Sequence, residues 1–329
     1  MLHVILYAIV PILVVMLAGY IAGKKGAFTG GDAKKFNKVV LDFALPAALF
    51  VSIVQASREM LARDIKLTII SLVVIMACFM AVYFIYRYCF AKQNGKEAAA
   101  DAAVMALISG SPTIGFLGFA VLEPIFGTTP SVALVVAIVG IVVNAIGIPV
   151  GLSLLNSAKA KTNPLAPGEK KPNPWKPVVH ALAQPVAWAP LLAVAMVLVG
   201  IKWPAWLSPS FDLIAKANAS MAVFAAGVTL SAVKVTLNWQ AILGSILKMV
   251  VMPLALLVVG IIFKMDPMNL KMLVVAGCLP PAFSGIIIAS QYDTYVATGT
   301  SSLTLSVILF MGFCPLWLWL TDVAIKTFM

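Results

Sequence analysis

Two stretches of the sequence combine residues that break a helix with residues that can bind an anion. They read ISGSPTIGFLGFAVLEPIFG at 108–127 and VAGCLPPAFSGIIIASQYD at 275–293, each inside a long apolar run. Proline removes a backbone donor, and the groups freed in a membrane helix must be satisfied by protein or by a water-filled cavity. Paired interruptions at corresponding positions of two halves indicate a transporter's substrate site. An ordinary proline kink is the alternative for either stretch taken alone.

The chemistry available at these interruptions is binding, and the favoured ligand is an anion. Hydroxyl groups can donate to a carboxylate, and the first amides of a helix that restarts favour negative charge. Glycine lets a ligand approach the backbone closely. The predicted substrate-binding residues are Ser111, Pro112, Thr113, Gly115, Pro281, Ser284 and Gly285.

Two ionisable residues lie inside apolar runs, where charge is costly and usually functional. Asp42 is predicted either to carry a coupling proton or to pair with Lys38 near the membrane interface. Lys248 is predicted either to attract an anion or pair with Asp42, or to extend its ammonium group to the interface. The sequence slightly favours the last of these for Lys248.

Residue patterns typical of catalysis or metal binding are missing from the sequence. His3 and His180 lie near span ends and form no cluster, and Ser109 and Ser111 have no His or Lys partner within a few residues along the chain. The four cysteines contain no CxxC pair. We expect no enzyme activity, metal or cofactor, with H⁺ and Na⁺ as alternatives for a coupling ion.

The composition is that of a membrane protein. Hydrophobic residues make up 62% of the 329 residues and charged residues 11%, against about 45–50% and about 25% in soluble domains. The net charge of +11 comes from cations in short loops between apolar runs, a pattern of topology signals that gives no indication of a nucleic-acid partner.

The apolar runs predict an all-α polytopic membrane protein. A span needs roughly 20 apolar residues, and Pro-rich, basic residues 158–177 read as a linker between two five-helix halves, 1–157 and 178–329. The ten predicted spans are 2–22, 36–56, 67–90, 99–123, 131–156, 178–200, 211–231, 240–263, 269–291 and 299–321.

Lys and Arg residues predict the orientation of these spans. They are concentrated in the loops after the first and third spans and in the linker. The positive-inside rule then places the linker in the cytoplasm and both termini outside. The N-terminal run lacks a cationic start and is too long for a cleavable signal peptide, so we interpret it as the first span.

An odd number of spans in each half predicts inverted repeats, because the second half then enters the membrane with opposite polarity. A weak match supports this: FNKVVLDFALPAALF at 36–50 aligns with IAKANASMAVFAAGV at 214–228. The predicted fold is therefore two inverted five-helix repeats with broken helices at spans 4 and 9.

The segments LDFALPAALF, GFLGFAVLEPIFG and LPPAFSGIIIASQYD, in this order, resemble the auxin efflux carrier family, in particular its bacterial malonate and malate permease-like branch. The resemblance covers essentially the whole chain. It implies crossing broken helices, a mobile transport domain on a scaffold, elevator-like motion and carboxylate substrates. The chain departs from the family at Thr113 and Ser284, where members often have Asn, and at Ala120, where they often have Pro.

We therefore expect a multi-pass protein of the bacterial inner membrane that carries small organic anions such as malonate or malate by secondary active transport. The alternatives are a cation-coupled carrier of another organic acid, bile-acid-like or auxin-like, and an intramembrane enzyme or sensor. The expected partners are the substrate anion and the lipid bilayer, and a homodimer is left open.

Overall fold

The computed structural model describes residues 10–54, 58–59, 65–162, 185–232 and 238–329. All regular secondary structure in these ranges is helical. The one exception is an isolated antiparallel bridge between Pro112 and Pro281. Continuous apolar runs favour this outcome, because a helix satisfies its backbone groups internally and can present apolar side chains to lipid on every face.

The helices of the first half are interrupted by two π-helical turns. Short helical turns at Ala91–Asn94 and Gly95–Glu97 follow the third helix. The helices are α1 (Val10–Lys24), α2 (Gly30–Val39, continued through the π turn Val40–Ala44 into Leu45–Val54), α3 (Ile65–Cys89), α4 (Ala98–Ser109), α5 (Ile114–Phe126) and α6 (Pro130–Ile141, continued through the π turn Val142–Gly147 into Ile148–Thr162).

The second half is organised in a similar way, with a 3₁₀ turn at Ala205–Leu207. Its helices are α7 (Pro185–Val199), α8 (Ser208–Ala215), α9 (Ala217–Ser231), α10 (Trp239–Ile246, continued through the π turn Leu247–Val251 into Met252–Ile262), α11 (Pro267–Cys278), α12 (Phe283–Gln291) and α13 (Val296–Phe328).

Side-chain caps fix where several helices begin. Thr29 and Asp32 form a capping box at α2, which satisfies two amides that have no partner inside the helix. The Asn238 side chain accepts from the Ala241 amide at 2.7 Å. Asp266 accepts from the Met268 and Asn269 amides ahead of α11, where Pro267 occupies the first turn. These caps define where α2, α10 and α11 begin.

The helices pack in two groups. In the first, α1 packs against α9, and α2 packs against α7 and α8. In the second, α4 packs against α3, α6 and α12, while α11 packs against α10 and α13. Glycines allow the close approach of α1 and α9: a Cβ on Gly227 would lie 2.0 Å from the Met16 carbonyl oxygen. Small residues commonly permit such contacts between membrane helices.

Each predicted span falls on a helix or on a broken pair of helices in the described ranges. Five helical stretches are long and apolar enough to cross a bilayer by length and composition: Ile65–Cys89, Pro130–Thr162, Ala205–Ser231, Trp239–Ile262 and Val296–Phe328. The fourth and ninth predicted spans are interrupted, as expected from their prolines.

The predicted linker begins later than its sequence indicated. Helix α6 continues to Thr162, so residues 158–162 are helical. Lys159 also forms an ion pair of 2.9 Å with Glu97, which anchors this end of the helix. The remaining linker residues lie outside the described ranges.

Candidate functional site

The two broken regions meet, and their backbones pair. The Thr113 amide donates to the Pro280 carbonyl at 2.9 Å, and the Ala282 amide donates to the Ser111 carbonyl at 3.0 Å. Pro112 and Pro281 form the antiparallel bridge between these two bonds. The pattern is symmetric, because the residue after each proline donates and the residue before each proline accepts. We call residues 110–113 and 279–282 the crossing.

The prolines explain why the helices stop here. Neither Pro112 nor Pro281 has an amide hydrogen to continue a helical ladder. The residues beside them still need hydrogen bonds, since unsatisfied backbone groups in an apolar interior cost several kcal/mol. Pairing the two segments supplies those bonds, so backbone groups freed at one break are hydrogen-bonded by backbone groups of the other.

Two helices begin at the crossing and point their first turns at it. Helix α5 starts at Ile114 and α12 starts at Phe283, each directly after the paired residues. Helix N-termini carry partial positive charge and free amides, which favour an anion. The rings of Phe116 and Phe283 contact each other edge to face at 5.9 Å between centroids beside these two N-termini.

Thr113 provides an unpaired hydroxyl group at the crossing. It is the N-cap residue of α5, but its side chain makes no capping hydrogen bond. The residue is 2% exposed, and its Oγ1 atom has no hydrogen-bond partner among the described residues. Buried hydroxyls are normally paired, so this unpaired hydroxyl is available to bind a ligand.

The other predicted substrate-binding residues lie at or next to the crossing. Ser111 is buried, and Ser284 is half-buried in the first turn of α12. A Cβ on Gly115 would lie 3.1 Å from the Leu45 Cδ2 atom, so this glycine faces α2.

Gly285, the last of the predicted substrate-binding residues, packs against α4. A Cβ there would lie 2.8 Å from the carbonyl oxygen of Leu107 and 2.7 Å from the Ile108 side chain. These two residues therefore occupy the side of Gly285 on which a side chain would stand. Close packing of α12 on α4 explains the glycine.

A buried serine cluster next to the crossing was missed by the sequence analysis. Ser109, the last residue of α4, lies 3.2 Å from Ser302 on α13, oxygen to oxygen. Ser245 on α10 donates to the Ser302 carbonyl at 3.0 Å. These bonds join three helices around the end of α4. The hydroxyl-rich run TSSLTLS at 300–306 was the signal available in the sequence.

Asp42 lies in the π turn of α2, away from the crossing. It lines a cavity of about 390 Å³ whose other walls are mainly apolar and include Trp188 and Trp203. Within the described part of the chain, no ion pair joins Asp42 to Lys38 or Lys248. Leu41 and Leu45, on another face of the same helix, approach Gly115.

Lys248 does not reach the membrane interface, so that prediction is wrong. The residue is completely buried. Its ammonium group donates to the carbonyl oxygen of Gly277, in the last turn of α11, and lies 3.2 Å from the sulfur of Met252. The π turn of α10 places Lys248 there.

A second cavity of about 440 Å³ lies along α5 on the side away from the crossing. Phe119 and Glu123, which follow Gly115 at intervals of one turn, contribute to its wall. Asn218 also lines it, is 2% exposed, and has no hydrogen-bond partner for either side-chain amide atom in the described ranges. No group of three metal-ligating side chains occurs among the described residues, and His3 and His180 lie outside them.

Comparisons with known proteins indicate a membrane transport protein. A family model described as "Membrane transport protein" matches residues 4–318. The uncharacterized transporter YfdV of Escherichia coli K12 is 51% identical over 314 residues, which cover 95% of this chain and 96% of that protein.

Two more distant relatives match over similar lengths. An uncharacterized transporter of Methanothermobacter thermautotrophicus is 23% identical over 312 residues, covering 94% of this chain and 96% of the relative. The uncharacterized transporter MJ1031 of Methanocaldococcus jannaschii is 20% identical over 317 residues, with the same coverage. On the family match and the near relative, this chain belongs to the auxin efflux carrier family of membrane transport proteins.

Proposed function

We propose that this membrane transporter is a secondary carrier of small organic carboxylates such as malonate or malate, and that the crossing is its substrate site. The unpaired, buried hydroxyl of Thr113 carries the proposal, because it stands where two helix N-termini converge. A carboxylate would accept from this hydroxyl and from the first amides of α5 and α12.

The symmetric pairing of the two breaks supports two inverted repeats in the proposed architecture. In such carriers the substrate lies at mid-membrane where the repeats meet. The two packing groups then have distinct roles. Helices α3–α6 and α10–α13 move as the transport domain, and α1, α2 and α7–α9 form the scaffold in an elevator-like motion.

The proposed energy source is an ion gradient, with H⁺ or Na⁺ as the coupling ion. Asp42 is the proposed proton carrier, because it is a carboxylate beside a mainly apolar cavity formed by α2, α7 and α8. The protein is placed in the bacterial inner membrane with both termini outside, and it works without a cofactor. A homodimer is compatible with this arrangement.

Uptake into proteoliposomes tests the proposal. Radiolabelled malonate, malate and succinate are offered under imposed proton or sodium gradients, with protein-free liposomes as the control. We expect accumulation of at least one dicarboxylate above its equilibrium level. Accumulation of only a bile-acid-like or auxin-like compound would replace the substrate class, and no gradient-driven uptake of any organic acid would contradict the function.

A further inference from the structure

Lys248 is a buried amine whose ammonium form has no negative partner among the described residues. Its side chain is completely buried, and no ion pair with a carboxylate occurs in the described part of the chain. The ionisable groups that face it are the thiols of Cys78 on α3 and Cys278 on α11. Burying an ammonium ion is costly unless it is paired and hydrogen-bonded, so its presence here requires a reason.

Capping of a helix end is one reason, and it accounts for part of the contact. Gly277 lies in the last turn of α11, whose final carbonyls have no partner within the helix. The Lys248 ammonium satisfies one of them. A cation at a helix C-terminus is favourable, but an uncharged donor could satisfy the same carbonyl.

The corresponding helix end in the other half is satisfied without a charge, because the Ile108 carbonyl, four residues before Pro112, accepts from the Ala282 amide at 3.3 Å. Phe79 lies as many residues before Pro112 as Lys248 lies before Pro281. Phe79 is also completely buried, and its Cα atom would lie 2.8 Å from a Cβ on Gly110, at the end of α4. A helix end at the crossing is therefore stable beside a phenylalanine, and packing alone does not explain the lysine.

The position of Lys248 relative to the crossing supplies the missing explanation. Gly277 lies four residues before Pro281, and α11 ends between them at Cys278. We infer that Lys248 is a fixed positive charge that the bound carboxylate neutralises, and that it makes this carrier select dianions over monoanions. The inference rests on the proposed function, because it requires an anion at the crossing.

The expected size of the effect can be estimated from Coulomb's law for an assumed separation. For two unit charges about 8 Å apart at an effective dielectric constant of about 20, the attraction corresponds to about a thirtyfold change in affinity. A dianion gains this factor twice and a monoanion gains it once. Removal of the charge should therefore reduce the preference for the dianion by roughly ten- to thirtyfold.

The test compares malonate with its monomethyl ester, at a pH at which malonate is a dianion. Binding to the detergent-purified full-length protein is measured by calorimetry for the parent, Lys248→Met and Lys248→Arg. We expect the parent to prefer malonate, Lys248→Met to lose most of that preference, and Lys248→Arg to keep it. Lys216→Met removes an exposed lysine and should leave the preference unchanged, since solvent screens that charge.

The outcomes separate this inference from the proposed function. Equal losses of affinity for both ligands in Lys248→Met would show that the lysine only caps the end of α11, and the inference would be wrong. Carboxylate binding by the parent would be unaffected by that result. A parent that binds both ligands equally overturns the inference without any variant. If Lys248→Met does not fold, Lys248→Gln, which keeps a hydrogen-bond donor for the Gly277 carbonyl, is measured in its place. If the parent binds neither ligand nor any other carboxylate, the proposed function and the inference both fail.

Discussion

Thr113 combines burial, an unpaired hydroxyl and a position at the start of α5. Thr113→Val keeps the shape of the side chain and removes its only polar group. We expect carboxylate affinity to fall by about ten- to a hundredfold, because a hydrogen bond to a charged group contributes roughly 1.5–3 kcal/mol. Calorimetric titration measures this. Thr321→Val is a matched control, since the Thr321 hydroxyl is also buried but donates to the Trp317 carbonyl. An unchanged affinity in Thr113→Val would remove the hydroxyl from the site.

Asp42 is the residue at which the coupling proposal can be tested. Asp42→Asn keeps the size of the side chain and removes its ability to exchange a proton. We expect accumulation driven by a pH gradient to be lost, while exchange of substrate across the proteoliposome membrane continues. Both are measured with labelled malonate. If the variant keeps the pH dependence of the parent, Asp42 is a structural residue of the cavity between α2, α7 and α8.

Substitution of Asn218 is expected to change the stability of the protein rather than its transport activity. Neither atom of its buried side-chain amide has a partner in the described ranges, and an unsatisfied buried polar group costs about 1–3 kcal/mol. Asn218→Leu should therefore raise the thermal unfolding temperature of the detergent-purified protein. Asn144→Leu is the control, because it removes a 2.9 Å bond to the Gly140 carbonyl and should lower that temperature. A similar loss in both variants would show that Asn218 has a structural partner.

At the scale of helices, the close packing of α12 on α4 can be tested through Gly285. An added Cβ in Gly285→Ala would meet backbone atoms of Leu107, which cannot move as a flexible side chain does. Overpacking typically costs about 1–3 kcal/mol, so we expect a lower unfolding temperature. Gly312→Ala serves as the control, since no atom lies within 4 Å of its added Cβ. Equal stability of the two variants would contradict the close contact.

The broken helices could be predicted from sequence because proline acts locally. Pro112 and Pro281 each lack the amide hydrogen that would continue a helix, and their similar positions in the two halves are visible in the printed residues. The pairing of the two breaks is a contact between distant segments, and only the predicted symmetry pointed to it.

The environments of individual residues were harder to predict, because they depend on which helix lies opposite. Lys248 could reach an interface or a neighbouring helix, and the partner that it found is a backbone carbonyl, which every residue has. Gly285 could face a ligand or another helix, and its sequence neighbours do not distinguish the two. Asp42 was expected to carry a coupling proton or to pair with Lys38, and the sequence did not show that the π turn of α2 presents it to α7 and α8.

At the scale of the whole molecule, the remaining prediction is the orientation in the membrane. The loops with the most Lys and Arg should face the cytoplasm, which places Cys89 inside and Thr128 outside. Cys89 is an exposed thiol at the end of α3, and Thr128 is exposed between α5 and α6.

A membrane-impermeant thiol reagent added to intact cells should therefore leave Cys89 unlabelled until the cells are permeabilised. In a Cys89→Ser background, Thr128→Cys should be labelled without permeabilisation, and Cys89→Ser alone reports the background from the other three cysteines. Labelling of Cys89 in intact cells, with Thr128→Cys protected, would show the opposite orientation. Both termini and the second cavity would then face the cytoplasm.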